Sequence, residues 1–395
     1  MFDRARFRSR CALTVGLILL AAACSSSPSA TGQNSPPPYV ITSPAKFLGP
    51  LVSAQESATQ SLGRDGGMTV PLPNGKVLWI FGDTPTYNFD NGAWNLTGFI
   101  QGSSAGIANY TQGAAPLAPL DELAVGAPSG PGTKATQFLV PPSVYLPDGS
   151  GRVCNKANAG PQAGAVRWAS GAALMPDKTN VFVPYIDACV LTATKHQAEG
   201  WGFAMYNWRT NRFSVPPTDV FVPQRDGKAL TTAQYFGSPI ISGKKITMFS
   251  STCCDAGSSV YTTTVDANIA ALKNKKSYFP RPILGAPATF MLSVAKPSPS
   301  QPQLLMYELS GNDGQYRIFV ANNPIGPWAE RAEGKLPKCD ASPQPCNNSI
   351  YLHPEFSGSK NLVVSYWLPG YGPADQTHQD STDQIWHIVL ASLPF

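Results

Sequence analysis

Gly63-Arg64-Asp65-Gly66-Gly67-Met68-Thr69-Val70-Pro71-Leu72-Pro73-Asn74-Gly75-Lys76-Val77-Leu78-Trp79-Ile80-Phe81-Gly82-Asp83-Thr84 is two short apolar runs joined by a turn. Asn-Gly between such runs is the strongest short-range signal for a β-hairpin. Gly67–Leu72 therefore turns through Pro73-Asn74-Gly75-Lys76 into Val77–Phe81. Folding about Asn74-Gly75 sets Asp83 opposite Gly66 and Asp65 opposite Thr84, which brings both acids to one end of the hairpin. Cross-strand neighbours lie about 5 Å apart, the separation of the two carboxylates in a retaining glycosidase. In a regular ladder these two acids would point to opposite faces. A bulge at Gly66-Gly67 would re-aim Asp65.

The same unit recurs. Val166–Met175 passes Pro176-Asp177-Lys178 into Val181–Tyr185, and Tyr235–Ile241 turns at Ser242-Gly243-Lys244 into Ile246–Ser250. Phe290–Ala295 leads into Leu304–Leu309, and Tyr351–Phe356 through Ser357-Gly358-Ser359 into Leu362–Trp367. Third strands follow at Gly202–Trp208, Val260–Val265, Tyr316–Ala321 and Ile385–Leu390. Starts near 67, 166, 235, 290 and 351 suit four-stranded blades plus loops. The expected fold is all-β, a five-bladed β-propeller over residues 45–395, with one short helix around Asp266–Lys275. A sandwich of two sheets with long insertions is the competing architecture.

Composition agrees. Of 395 residues 13% are charged and 43% hydrophobic, and 35 Gly with 38 Pro approach a fifth of the chain. Ordinary usage is about 12%, and proline at this density argues against a helical protein. The formal charge of +5 is mostly that of the first 23 residues, and no Lys/Arg run follows. Nucleic acid is thereby not an expected partner.

Residues 1–23 have a basic start (Arg4, Arg6, Arg8, Arg10) and a short apolar stretch from Cys11 to Ala23, the pattern of a signal peptide. Ala21-Ala22-Ala23-Cys24 resembles the bacterial lipobox, in which the cysteine is lipidated. Leu20 sits one residue further out than usual, which leaves plain secretion open. Residues 24–44 are a Ser/Pro-rich tether that cannot pack a core. The chain is thus expected outside the cell, lipid-anchored at the outer face of the membrane or free in the cell wall, and monomeric. Six cysteines remain: Cys154, Cys189, Cys253, Cys254, Cys339 and Cys346. An even number in an exported chain points to disulfides, and proximity favours Cys154–Cys189 and Cys339–Cys346, with Cys253–Cys254 left as a vicinal pair. No C-x-x-C pair or ligand-spaced histidine is present, so neither a metal nor a cofactor is expected.

In a propeller the first strand of each blade lines the axis, and the loops at one end form a funnel where ligands bind. Candidate substrate-binding residues there are Arg64, Arg167, Trp168, Tyr235, His353 and Glu355, with Trp94 from the long insertion after the first hairpin. Rings that stack on sugar C–H faces, with charged groups that bond hydroxyls, suit a carbohydrate. Asp65 and Asp83 are the catalytic candidates. Asp83 ends an apolar strand, which favours its neutral form and a general-acid role. Asp65 adjoins Arg64 and two glycine N–H groups, which favour the ionised form of a nucleophile.

The pattern G-R-D-G-G-x(10)-L-W-I-F-G-D-T resembles the opening blade of the bacterial family once called domain of unknown function 4185. Part of that family is grouped as glycoside hydrolase family 183, the endo-D-arabinanases. Tyr235-Phe236-Gly237-Ser238-Pro239, Asn323-Pro324-Ile325-Gly326-Pro327-Trp328 and His353-Pro354-Glu355-Phe356 are similar to its later blade motifs. The resemblance covers roughly residues 45–395. It implies a five-bladed propeller, matches Asp65 and Asp83 to the catalytic pair, and implies cleavage of α-D-arabinofuranosidic bonds of cell-wall arabinan with retention.

Gly102-Ser103-Ser104-Ala105-Gly106 fits the hydrolase pattern G-x-S-x-G, but no helix follows it, so it reads as a polar loop. Two other functions stay open: a non-catalytic carbohydrate-binding propeller lipoprotein, and a propeller glycosidase of different specificity.

Overall fold

The computed structural model describes residues 43–114, 118–141, 164–192, 195–222, 232–250, 259–285, 291–296, 304–309, 314–339, 350–369 and 385–394. The expected signal peptide, Cys24 and all but the last two residues of the tether lie outside them, as do Cys154, Cys253, Cys254 and Cys346.

The described chain is nearly all β. Alternation of two apolar faces explains why. In strand Lys76–Phe81, Leu78 and Ile80 point one way, into a core shared with Val181, Val183 and Tyr185. Val77, Trp79 and Phe81 point the other way, into a core shared with Val363, Trp367 and Ile388. A sheet buried on both faces must lie between two others, and this pattern continues from sheet to sheet. Phe182 and Phe203 pack with Phe236, Ile246 and Met248. Phe249 packs with Val294 and Phe319, and Leu305 and Ile318 pack with Val364 and Tyr366.

The sheets that these cores join are antiparallel. The first runs Gly66–Pro71, Lys76–Phe81, Ser104–Asn109, Asp121–Glu122. The second runs Ala173–Leu174, Asn180–Thr192, Lys195–Asn207, Arg212–Phe221, with Gly164–Ala169 added along Asn180–Thr192. The third runs Gly237–Ser242, Lys245–Ser250, Tyr261–Asp266, Arg281–Pro282, and the fourth Met291–Ala295, Leu304–Leu309, Gln315–Ala321, Ala329–Lys335. In the fifth, Ile350–Leu352, Asn361–Pro369 and Trp386–Pro394 are completed by Lys46–Pro50 from the other end of the domain. Leading strands approach one another in succession, from Gly66–Pro71 to Ala173–Leu174, Gly237–Ser242, Met291–Ala295 and Ile350–Leu352, and back to Gly66–Pro71. Among the described residues this is not a two-sheet sandwich. A smaller sheet, Gln60–Leu62, Thr84–Asp90, Ala93–Ile100, grows from the end of the first hairpin.

Three local expectations are corrected. The turn Pro73-Asn74-Gly75 holds three residues, since Leu72 N–H donates to the Lys76 carbonyl at 2.7 Å, and Pro71 faces Val77. The expected strand Val166–Met175 is broken, because Ser170 is tied to the third sheet: its hydroxyl donates to the Phe236 carbonyl and its carbonyl accepts from Ser238 N–H. Tyr351–Phe356 is strand only through Leu352, after which Phe356 and Ser357 N–H both donate to the His353 carbonyl and close a turn. The short helix forms at Ile269–Lys273, where Asn268 accepts from Ala271 N–H.

Candidate active site

Gly66 and Gly82 set the site. The ladder shifts register between Gly66 and Met68, a bulge that places Gly66 opposite Phe81. Gly66 takes φ 78°, a conformation that a side chain disfavours. Across from it, Asp65 N–H donates to the Asp83 carbonyl at 3.1 Å, while Gly82 N–H donates to the Asp65 carbonyl at 2.5 Å. Gly82 and Asp83 therefore both face Asp65, a second bulge on the facing strand. Asp65 and Asp83 become direct cross-strand partners, not neighbours one step out of register as the two-residue turn count gave.

Their carboxylates are held by few donors. Gly66 N–H donates to Asp65 Oδ1 at 2.7 Å. Gly102 N–H donates to Asp83 Oδ1 at 2.5 Å, and the Trp168 side chain adds a hydrogen bond to Asp83. Burial and the Asp83 charge push the Asp65 carboxyl up to about 6, against the opposing pull of Gly66 N–H. Burial pushes Asp83 up as well, and the Gly102 and Trp168 donors restrain it. Asp65 is thus the group better suited to carry a proton, and Asp83 the one whose ionised form is better supported. These donors favour the opposite of the expected division. Arg64 does not support the Asp65 charge because its guanidinium points elsewhere.

Arg64 is buried, donates from Nη1 to Ser104 Oγ at 2.9 Å, pairs with the buried Glu122, and lies 4.2 Å over the Phe81 ring. A buried carboxylate needs such a partner, so Arg64 is committed to the fold and does not face a substrate. Arg167 is likewise buried and bonded to Asp187 and Asp219. Trp168, the next residue on the strand, does reach Asp83. His353 has no exposed surface: Nδ1 lies 2.6 Å from Thr69 Oγ1 and the ring 4.9 Å from that of Trp79. It is a core residue. Glu355, 3.6 Å from His353, lines a cavity of about 460 Å³ together with Thr69, Ser238, Ser293 and Tyr351. Tyr235 is half-buried against the core between the second and third sheets, and burial raises its hydroxyl to about 12. Trp94 packs against Phe89 in the small sheet, with ring centres 5.2 Å apart and planes tilted by 54°. Of the nine candidates, the structure thus joins Asp65, Asp83 and Trp168.

Two participants were not foreseen. Gly102 belongs to the G-x-S-x-G stretch set aside as a loop, and it contributes a backbone donor. Its φ is 84°, and a Cβ there would lie 2.7 Å from Arg167 N. Tyr351 stands close enough to Asp65 for that charge, after burial, to raise its hydroxyl. Among the described residues no cluster of three His, Cys, Asp or Glu side chains is arranged to hold a metal ion. Cys189 and Cys339 are buried and neither is a free thiol; the other six of the eight cysteines lie outside the described residues.

No family model and no curated protein matches the chain. Solved structures do. A Bacteroides ovatus protein, assigned without proof as a hydrolase, aligns with TM-score 0.52 at 13% identity, over 84% of this chain and 85% of its own. A family 117 glycoside hydrolase from Zobellia galactanivorans aligns at TM-score 0.45 and 8% identity, over 90% of each chain. The catalytic domain of a family 62 α-L-arabinofuranosidase from Coprinopsis cinerea aligns at 0.44 and 13%, over 88% of this chain and 96% of its own. The first likeness is one of fold.

Proposed function

We propose that the chain is a five-bladed propeller glycoside hydrolase that cuts α-D-arabinofuranosidic bonds inside cell-wall arabinan with retention. The observation that carries this reading is the bulge between Gly66 and Met68 followed by the backbone hydrogen bond from Asp65 N–H to the Asp83 carbonyl, which sets the two aspartates across from each other. Side chains so opposed stand about 5 Å apart, which suits a nucleophile and an acid/base, whereas an inverting pair needs about 6.5–9.5 Å to admit water. The closed succession of leading strands supports five blades. The first-blade motif supports the arabinan specificity.

In this reading Asp83, steadied by Gly102 and Trp168, attacks the anomeric carbon. The glycosidic C–O bond breaks, and the Asp65 proton passes to the leaving oxygen. Asp65, now a carboxylate, takes a proton from water, and that water displaces Asp83 from the anomeric carbon. Incubating the purified domain with D-arabinan tests the function. A ladder of oligosaccharides is expected; release of single arabinose units would make the enzyme exo-acting, and intact but bound polymer would make the protein a binding module. With an aryl arabinofuranoside whose leaving group needs no proton, Asp65→Ala should keep its first step and regain turnover with azide. Asp83→Ala should do neither, and the opposite pattern would restore the reverse assignment.

A further inference from the structure

We infer that Asp187 and Asp219 form a second carboxyl pair that shares one proton and, through Arg167, positions the two donors that hold Asp83. The inference rests on the reading of Asp83 as a reacting carboxylate.

Arg167 sits opposite Asp187 in the register between Gly164–Ala169 and Asn180–Thr192. Its Nε donates to Asp187 Oδ1 at 2.8 Å, Nη2 to Asp219 Oδ1 at 3.0 Å, and Nη1 to the Val140 carbonyl at 2.7 Å. The guanidinium also lies 4.7 Å over the Tyr185 ring, whose hydroxyl donates to Asp219 Oδ1 at 2.8 Å. One guanidinium thus holds an oxygen of Asp187 and an oxygen of Asp219 on neighbouring nitrogens, which brings the two carboxyls together. Two buried carboxyls so placed repel unless one carries a proton, which the other can then accept as a hydrogen bond. One proton, one carboxylate charge and one guanidinium then balance in a nearly dry site. The titratable groups facing Asp187 are Arg167 from its neighbouring strand, Tyr185 from its own and Asp219 from Arg212–Phe221. Burial and Asp219 outweigh Arg167 and hold Asp187 at about 8, while the hydrogen bond from Asp187 and the Arg167 charge lower Asp219.

Successive residues of a strand face opposite ways. Arg167 enters the carboxyl pair, and Trp168 turns to Asp83. The Arg167 backbone also lies against Gly102, where an added Cβ would meet its N at 2.7 Å and its O at 2.9 Å. Both donors to Asp83 are therefore braced by one residue, and that residue is fixed by three hydrogen bonds. Misplacing a reacting group by about 1 Å can cost about a hundredfold in rate, so the pair is a positioning device for the reaction.

The first test needs no variant and no substrate. As pH is raised through about 8, the Trp168 indole N–H resonance should shift with the loss of the shared proton, and carboxyl-carbon NMR should show one aspartate titrating there. Asp187→Asn keeps a neutral donor toward Asp219 and an acceptor for Arg167, so in that variant both signals should be flat through the same range. In turnover, Asp187→Ala should lower kcat at least about tenfold with KM moved less than about threefold, and Asp187→Asn should restore most of the loss. A Trp168 resonance indifferent to pH, or one that still titrates in Asp187→Asn, overturns the inference. So does an Asp187→Asn enzyme as slow as Asp187→Ala. If the protein cleaves no arabinan at all, the function falls while the NMR titration still decides the carboxyl pair.

Discussion

Replacing Asp65 with asparagine should make the protein more stable at neutral pH and no more stable in acid. In the folded chain the Asp65 carboxyl rises from 3.8 to about 6, chiefly by burial. Above pH 3.8 the unfolded chain gives up this proton while the folded chain keeps it, so the folded state binds more protons and stability falls as pH rises. The loss is complete above pH 6. At about 1.4 kcal/mol per pH unit, the ionised group costs about 3 kcal/mol at pH 7. Asparagine presents a neutral group of the same shape and can still accept from Gly66 N–H through its oxygen. Asp65→Asn should therefore recover up to about 3 kcal/mol, or roughly 4 °C in Tm for a domain of this size, while turnover collapses. Calorimetric scans of both proteins at pH 7 and at pH 4 check this. A variant less stable than wild type at pH 7, or one that gains as much at pH 4, would show that the carboxyl does not carry this burden.

Gly102→Ala forces a Cβ to within 2.7 Å of Arg167 N and withdraws the N–H from Asp83. Losing a hydrogen bond to a charged group costs about 1.5–3 kcal/mol, so the acidic limb of the kcat/KM profile should move up by about one pH unit or more; an unmoved limb would remove Gly102 from the site. If Cys24 is lipidated, Cys24→Ala should shift the protein from the membrane fraction to the soluble one with its Tm unchanged, and equal membrane association of the two proteins refutes the anchor. Non-reducing peptide mapping of natively exported protein should recover Cys154 with Cys189, Cys339 with Cys346, and a vicinal Cys253–Cys254 link, and any other pairing corrects the proximity argument.

The first hairpin was legible because its signals are local: alternating apolar residues and Asn-Gly between them. Its register was not, since the pair Asn74-Gly75 reads as a two-residue turn while Pro73 joins it in the folded chain. The bulge at Gly66-Gly67 was legible from two adjacent glycines. Its counterpart at Gly82 was hidden, because a lone glycine before an aspartate looks like the end of a strand. The partner of Arg64 was hidden for a related reason. Arg64 stands beside Asp65 in sequence, yet neighbours on a strand point to opposite faces, and Arg64 goes to Glu122 instead. The same alternation sends Arg167 inward and Trp168 toward Asp83.

This alternation explains why basic residues flank the site without touching it. In the proposed reaction Asp65 changes protonation, and a carboxylate with that role cannot be locked to a guanidinium, which would hold it ionised. On this fold each arginine is spent one residue away, on Glu122 or on the Asp187–Asp219 pair, where its charge stiffens the strand that carries the neighbouring side chain. Asp65 and Asp83 are left with weaker partners: backbone N–H groups, an indole and each other. Those partners orient a carboxylate without fixing its charge, the condition under which one aspartate can hold a proton near neutrality while the other gives its proton up.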